Sequence, residues 1–487
     1  ELPFMTQQLV SSRTIAAIAT GSGGGVGIVR VSGPQALQIG QKVCAPWPSD
    51  LLSHHLYLGH AHSQRLGSQA SASGTSDPQG TAPSSLPARI DQVLFAVMRA
   101  PHSYTGEDVL EIHGHGGAIT LHLILEACLD AGADSAAPGE FTRRAFLAGK
   151  LDLTAAEAVA QLVSAQSVSA ARQAQRQLHG ELGRVVAELR RRLTVLLGDF
   201  EGMLDFPDLD ADTEVLARAQ PELAALSARI SSLASTFHRG GKALSRGLEL
   251  ALLGKTNAGK SSLINALCGS ERVLVDARPG TTRDFVEVRT QWGSETGSSQ
   301  GAQDLTVTLI DTAGEREGAT DLELAGMRLG RQRWQGVDLA LLVVDGTVGM
   351  GPEESALLAL RPPALPYLVV WNKSDHQGCL PPPAEAIACS ALCGWGLPEL
   401  RRQVLQRLAP QLEHDDELLI VSERQALTLQ QCTEALKQAQ SALALKAEVE
   451  VIAAELRTAA LRLGELTGDE ITPGVLDSIF ARFCIGK

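Results

Sequence analysis

Several things are scarce in this 487-residue chain, and each scarcity removes a class of protein. Long apolar runs are missing: the longest, such as VDLALLVVDG from Val337, fall far short of the ~20 residues that a membrane-spanning helix needs. No basic segment leads into an apolar stretch at the start, so no secretory leader is expected, and Met5 reads as a natural start behind residues 1–4. Paired cysteine spacing is missing too. The eight cysteines are scattered, which favours a reducing compartment, hence the cytoplasm, over a disulfide framework. Cys389 and Cys393 invite a metal reading, but no second ligand pair lies nearby. Positive charge is in deficit: 42 Lys and Arg against 55 Asp and Glu leave −13, which argues against a broad phosphate-binding surface. If such a chain works on a nucleic acid, it contacts a small part of it or borrows a basic surface from a partner.

What is present describes a soluble globular protein, 44% apolar and 20% charged, long enough for two or three domains. From Arg13 to about Lys150, strand-like runs (IAAIAT from Ile15, VGIVRVSG from Val26, DQVLFAVMRA from Asp91) alternate with helical stretches. Between Ser63 and Pro87 a Ser/Gly/Pro/Gln segment has too few large apolar residues to offset ordering entropy and reads as a flexible insertion. From Leu151 to about Leu204 the composition predicts long helices. Helix resumes after Pro221 and stops near Gly240. A compact strand–helix alternation follows from Leu248 to about Leu408. After Ser422 the steps Leu429, Cys432, Leu436, Ala439 and Leu443 give one apolar helix face. The simplest packing is a helical domain (151–247 and 409–487) with a nucleotide-binding domain (248–408) inserted into it, after an N-terminal domain over 1–150.

The strongest motif is GKTNAGKS, Gly254 to Ser261, between the apolar strand LELALL and the helical SSLINALCG. That is the context of a P-loop. Its glycines let the backbone wrap phosphate oxygens, Lys260 reaches the β- and γ-phosphates, and the Ser261 hydroxyl takes Mg2+. Asn257, Ala258, Gly259 and Ser262 complete the loop's expected GTP contacts. DTAG (Asp311, Thr312, Ala313, Gly314) ends the strand LTVTLI: Asp311 acts on Mg2+ through water and the Gly314 amide senses the γ-phosphate. NKSD (Asn372, Lys373, Ser374, Asp375) ends PYLVVW, and Asp375 can accept both N–H protons that guanine offers and adenine does not. Ser390 and Ala391 fit the loop behind the base, and GTTRD supplies Thr282 as a second hydroxyl on Mg2+. Four short motifs in order, each at a strand end, point to a GTPase. The glycine cluster GSGGGVG from Gly21 fits no register of a dinucleotide fingerprint. Where Ras-like enzymes carry a water-orienting glutamine, Glu315 follows Gly314, so hydrolysis needs another water-positioning residue and another positive charge.

The P-loop, GTTRD, PGEFTRRAFLAGKLDL from Pro138, SYTGEDVLEIHGHGG from Ser103 and the terminal FCIGK together resemble the tRNA-modifying GTPase family known as MnmE or TrmE, over nearly the whole chain. The segments 63–87 and SETGSSQGAQ from Ser294 look like insertions relative to it. The resemblance implies an N-terminal tetrahydrofolate-binding α+β domain, a helical domain and an inserted Ras-like α/β G domain. It also implies a homodimer through the N-terminal domains and a flavoprotein partner, MnmG, which supplies FAD. The pair would install an aminomethyl-type group at carbon 5 of the wobble uridine of certain tRNAs. By motif, contacts to 5-formyl-tetrahydrofolate would be Arg30, Glu111, Lys150 and Lys487, although Ala148 stands where the family usually has asparagine. On residue type alone these would be ordinary surface charges. Cys484 reads either as a small buried filler or as a group near the one-carbon chemistry. In the G domain the resemblance implies K+, ligated by Asn257 and by the loop with Asp276, Arg278 and Thr281, in which Ala277, Pro279 and Gly280 also meet the nucleotide. Glu323 would orient the water; the plainer reading is a solvated helix charge. An Era-like ribosome-assembly GTPase is the competing class, disfavoured because a helical segment ending in FCIGK follows the G domain instead of a basic RNA-binding module. A folate enzyme with a vestigial GTPase conflicts with the intact P-loop and NKSD.

Overall fold

The computed structural model describes residues 13–21, 23–65, 88–205, 212–269, 286–292, 305–311, 336–359, 361–409 and 418–487. Two compact units emerge: Glu1–Val163 with Gln177–Arg191 and Leu461–Lys487, and Ser164–Arg176 with Arg192–Ala460.

The first unit is built on a seven-stranded sheet in the order β3-β4-β5-β6-β2-β1-β7. Its strands are β1 (Ile15–Ile18), β2 (Val26–Ser32), β3 (Cys44–Ala45), β4 (Leu56–Ser63), β5 (Ala88–Met98), β6 (Val109–His115) and β7 (Asp134–Ser135). The three strand-like runs in this region all form strands. All pairings are antiparallel except β1 with β7. Alternation sets the faces. Val29, Val31, Val93, Phe95, Leu110 and Ile112 point to a core filled by helices α1 (Ala36–Val43) and α2 (Ala118–Asp130). On the opposite face Ile15 and Ala17 pack on Phe141 of α3 (Glu140–Leu147), beside Tyr104. The C-terminal helix, Pro473–Phe480, packs its Leu476, Ile479 and Phe480, with Phe483, on Leu153 and Ala156. Thr472 has the extended backbone of an N-cap before Pro473, yet its side chain makes no capping bond. The cap is therefore set by backbone and proline alone.

The second unit carries a six-stranded sheet in the order β13-β12-β11-β8-β10-β9. Its strands are β8 (Leu248–Leu253), β9 (Val286–Trp292), β10 (Leu305–Asp311), β11 (Leu339–Asp345), β12 (Tyr367–Asn372) and β13 (Ala386–Ala388). Every pairing is parallel except β9 with β10. Parallel strands covered on both faces read as continuous apolar runs, as LELALL and LALLVVD do. Leu250 and Leu252 enter one core, Ala251 and Leu253 the other. This is the doubly wound α/β architecture expected of the inserted domain. The central strand β8 lies between β10 and β11, so its carboxyl end opens at the switch in strand order where such sheets bind ligands.

Among the helices, the expected start after Pro221 is corrected: the helix runs Asp212–Thr236 with Pro221 inside. A proline in a helix interior costs about 3 kcal/mol or more. Here the fully buried Ala219, Leu223, Leu226 and Ile230 hold the helix through it. Near Gly240 the helix does not stop but widens into a π turn, Phe237–Gly241, then continues over Lys242–Arg246. Helix Glu423–Ala444 packs along it and buries Leu429, Cys432, Leu436 and Ala439, with Leu443 half-buried near its end. No helix among the described residues is long and apolar enough to cross a membrane.

Candidate functional site

The loop after β8 turns into the helix Lys260–Cys268 through Gly259, whose φ is +92°. A Cβ there would also lie 2.2 Å from Asn372 Nδ2, so only glycine fits on both counts. Asn257, exposed on the same loop, also takes a left-handed conformation, with φ of 65°. Lys260 is 5% exposed, and its Nζ donates to the carbonyls of Gly254 and Lys255, each at 2.8 Å. The Ser261 hydroxyl donates to Asp311 Oδ2 at 3.0 Å. Asp311 is buried at the end of β10, where the parallel register sets it opposite Leu252. Ser262 is exposed on the first turn of the helix. A helix N-terminus, an ammonium group and a hydroxyl–carboxylate pair thus converge. That arrangement suits an anion of high charge together with a hard cation that prefers oxygen ligands.

On the other side of the loop Asn372 acts as a staple. Its Nδ2 donates to the Ala258 carbonyl at 2.9 Å, and its Oδ1 accepts the Ala391 N–H at 3.0 Å. Lys373, with φ of 63°, sends Nζ to Asp345 Oδ2 at 2.6 Å. Burial of Asp345 pushes its carboxyl upward, but the bonds from Lys373 and Thr347 outweigh this and leave it below the usual range. Ser374 is tied down through its N–H to the Cys389 carbonyl and its hydroxyl to the Trp371 carbonyl. Asp375 is held below its usual pKa, first by a hydrogen bond from the Ser390 side chain. Ser390 is fully buried under that loop. An ionised carboxylate therefore faces solvent beside the staple, able to accept two donors from a planar base. Asp276, Ala277, Arg278, Pro279, Gly280, Thr281, Thr282, Thr312, Ala313, Gly314 and Glu323 lie outside the described residues.

In the first unit, Arg30 and Glu111 sit directly opposite each other on β2 and β6. Arg30 Nε donates to Glu111 Oε1 at 2.9 Å, and the second guanidinium contact is 2.8 Å. His113 Nε2 lies 3.3 Å from Oε2. The His113 bond holds the Glu111 carboxyl below its ordinary range; burial opposes this, and the Arg30 charge adds to it. The guanidinium lies 5.5 Å from the Tyr104 ring centroid and 5.6 Å from that of Phe141. At 17% and 18% exposed, the two side chains are not ordinary surface charges. Lys150 is exposed after the α3 terminus, its side chain over Gly106 in the loop that carries Tyr104. The C-terminus reaches the same sheet: Gly486 has φ of +92°, and a Cβ on it would lie 2.1 Å from the Ile18 carbonyl at the end of β1. Lys487 follows, half-buried, its N–H donating to the Cys484 carbonyl. Cys484 itself is exposed, so it is not a buried filler.

Pattern reading missed a second buried ion cluster in this unit. Arg144, 4% exposed, donates to both Glu107 oxygens (3.2 and 2.9 Å), to Glu140 at 2.8 Å and to the Arg13 carbonyl at 3.0 Å. Glu107 also accepts from the Ser32 hydroxyl, two residues beyond Arg30 on β2, at 2.7 Å. The four-residue spacing of Glu140 and Arg144 in GEFTRR was the available signal. Asp345, which holds Lys373, carried none.

With the geometry in place, comparison adds two family matches. Residues 14–150 match the GTP-binding protein TrmE N-terminus, and residues 153–484 match the MnmE helical domain. The tRNA modification GTPase MnmE of Myxococcus xanthus is 40% identical over 98% of this chain and 99% of its own. That of Acaryochloris marina is 38% identical over 97% and 99%. A solved structure of Aquifex aeolicus Era bound to GDP and aluminium fluoride is 25% identical over 38% of this chain and 66% of its own, with a TM-score of 0.25. The P-loop strand–helix junction and the FCIGK terminus thus occur in one polypeptide that aligns end to end with these relatives, and the chain belongs to the MnmE (TrmE) family of tRNA modification GTPases.

Proposed function

We propose that this chain is a K+-activated GTPase that, as a homodimer and with the flavoprotein MnmG, installs a carboxymethylaminomethyl or aminomethyl group at carbon 5 of the wobble uridine of certain tRNAs. In this reading residues 1–150 bind folate and dimerise, 248–408 form the G domain, and 151–247 with 409–487 form the helical part. The observation that carries it is the junction of Lys260, Ser261 and Asp311 at the carboxyl end of the central strand. Lys260 exchanges its two carbonyl partners for phosphate oxygens, which return a stronger charge-assisted bond. Ser261 and Thr282, with Asp311 through water, would hold Mg2+, which when bound neutralises charge on the phosphates. The oxygens of Ser261 and Asp311 fit such an ion in kind and position. Asn257, Asp276, Arg278 and Thr281 would hold K+ in place of an arginine finger, and Glu323 would orient the attacking water. Asp375 selects guanine, and Ser390 and Ala391 back the base.

In the first unit, Arg30, Glu111, Lys150 and Lys487 would bind 5-formyl-tetrahydrofolate or a related tetrahydrofolate. The ionised Glu111 can accept N–H donors from a pterin edge while Arg30 stays stacked against Tyr104 and Phe141. Cys484, exposed three residues before Lys487, would serve the one-carbon chemistry in this reading. The partner would bring FAD and the basic surface for tRNA, which a chain of charge −13 lacks, in the cytoplasm. Mass spectrometry of tRNA nucleosides from cells lacking this chain tests the reading. It expects loss of the carbon-5 wobble modification, and an unchanged nucleoside profile would refute it.

A further inference from the structure

The P-loop is anchored to a helix that carries no nucleotide-binding motif. Lys255, the second residue of GKTNAGKS, offers its carbonyl to Lys260 Nζ at 2.8 Å and to the Ala258 N–H at 3.2 Å. Its own side chain leaves the loop and meets two carboxylates on the first turn of the helix Pro352–Ala359: Glu354 Oε1 at 3.0 Å and Glu353 Oε2 at 3.4 Å. Glu354 is 3% exposed, and its other oxygen accepts the Gly351 N–H at 2.8 Å. That bond caps the start of the helix, so the carboxylate is held from its own side and in turn holds Lys255. The connection that ends in Glu354 begins at Asp345, the partner of Lys373, so one segment grips both the phosphate loop and the NKSD loop.

We propose that Glu354 is a positioning residue for the β-phosphate: through Lys255 it holds the first half of the P-loop in the curvature that a diphosphate requires. This rests on the GTPase reading but not on K+, folate or tRNA. The carboxylate touches no phosphate; it sets where the Lys255 backbone lies, and with it the space into which Lys260 swings.

The test uses the full chain and titration with fluorescent mant-GDP, with GMP measured by displacement. Glu354→Gln and Lys255→Met should each weaken GDP binding roughly fivefold, as expected for one partly screened ion pair. The double variant should be no weaker than the worse single. GMP, which lacks the β-phosphate, should bind within about twofold of wild type, and Lys255→Arg should keep wild-type GDP affinity because its guanidinium still meets the carboxylate. Wild-type GDP affinity in Glu354→Gln, equal losses for GDP and GMP, or additive losses in the double variant would each overturn the proposal. If Glu354→Gln does not fold, Lys255→Met, a change at a side chain about a third exposed, decides through its GDP and GMP affinities alone: wild-type GDP affinity or equal losses for both overturn the proposal. Wild-type protein that binds no GDP would overturn the GTPase reading together with this one.

Discussion

Asn372 joins the phosphate loop to the base loop, and its removal separates the two roles of the site. The side chain is 2% exposed and makes both of its bonds to backbone groups, the Ala258 carbonyl and the Ala391 N–H. In Asn372→Ala both partners lose their mate in a confined place. A buried polar group left unsatisfied costs about 1–3 kcal/mol. Two such groups set an upper range of roughly 2–6 kcal/mol, and water reaching the shortened side chain should bring it to about 2–3 kcal/mol. If that cost falls on the nucleotide-ready arrangement of the loops, GDP affinity should drop on the order of 30- to 150-fold, at 1.4 kcal/mol per decade. Calorimetric titration with GDP, beside thermal unfolding with and without GDP, measures both quantities. Asn372→Asp is the sharper variant. It keeps an acceptor for Ala391 but turns a carboxylate oxygen toward the Ala258 carbonyl, so it should bind no better than the alanine variant. GDP affinity within threefold of wild type in Asn372→Ala would refute the staple argument.

Asp375→Asn should weaken GTP binding and shift preference toward a xanthine nucleotide, because the amide presents a donor where guanine also donates; equal GTP affinity in both proteins would show that the base pocket is misassigned. GTP hydrolysis should be faster in KCl than in NaCl at equal ionic strength, and Asn257→Ala should erase that preference while Glu323→Ala abolishes most hydrolysis and spares binding; steady-state rates that ignore the cation would sink the K+ reading. Calorimetry should detect 5-formyl-tetrahydrofolate binding that Arg30→Ala weakens at least tenfold, and unchanged affinity would dismiss that site. The Glu111 carboxyl is held low in the folded chain, so its contribution to stability is present above the unfolded value of about 4.3 and is lost as pH falls through the lower folded one. Glu111→Gln should therefore flatten acid unfolding of the first unit below about pH 4.3, and an unaltered acid limb would contradict the pairing with His113 and Arg30.

Those parts of the protein whose chemistry is local were legible along the chain. GKTNAGKS must follow a strand and open a helix, because wrapping a phosphate needs glycine conformations next to a helix N-terminus, and it does so between Leu253 and Lys260. Apolar runs likewise marked β1, β2 and β5 in the first unit and β8, β10 and β12 in the second as strands. Pro221 misled, since the penalty of one residue is local while the burial that overrides it comes from distant partners. Which charges meet is set by the folded arrangement. Arg30 and Glu111 lie 81 residues apart and become partners through strand register, Asn372 reaches Ala258 across 114 residues, and Glu354 finds Lys255 through a connection with no motif. Likewise, only the fold brings Gly486 onto the end of β1, where the absence of a Cβ lets the two backbones touch. Pairings of this kind depend on how sheets order their strands, which no spacing along the chain records.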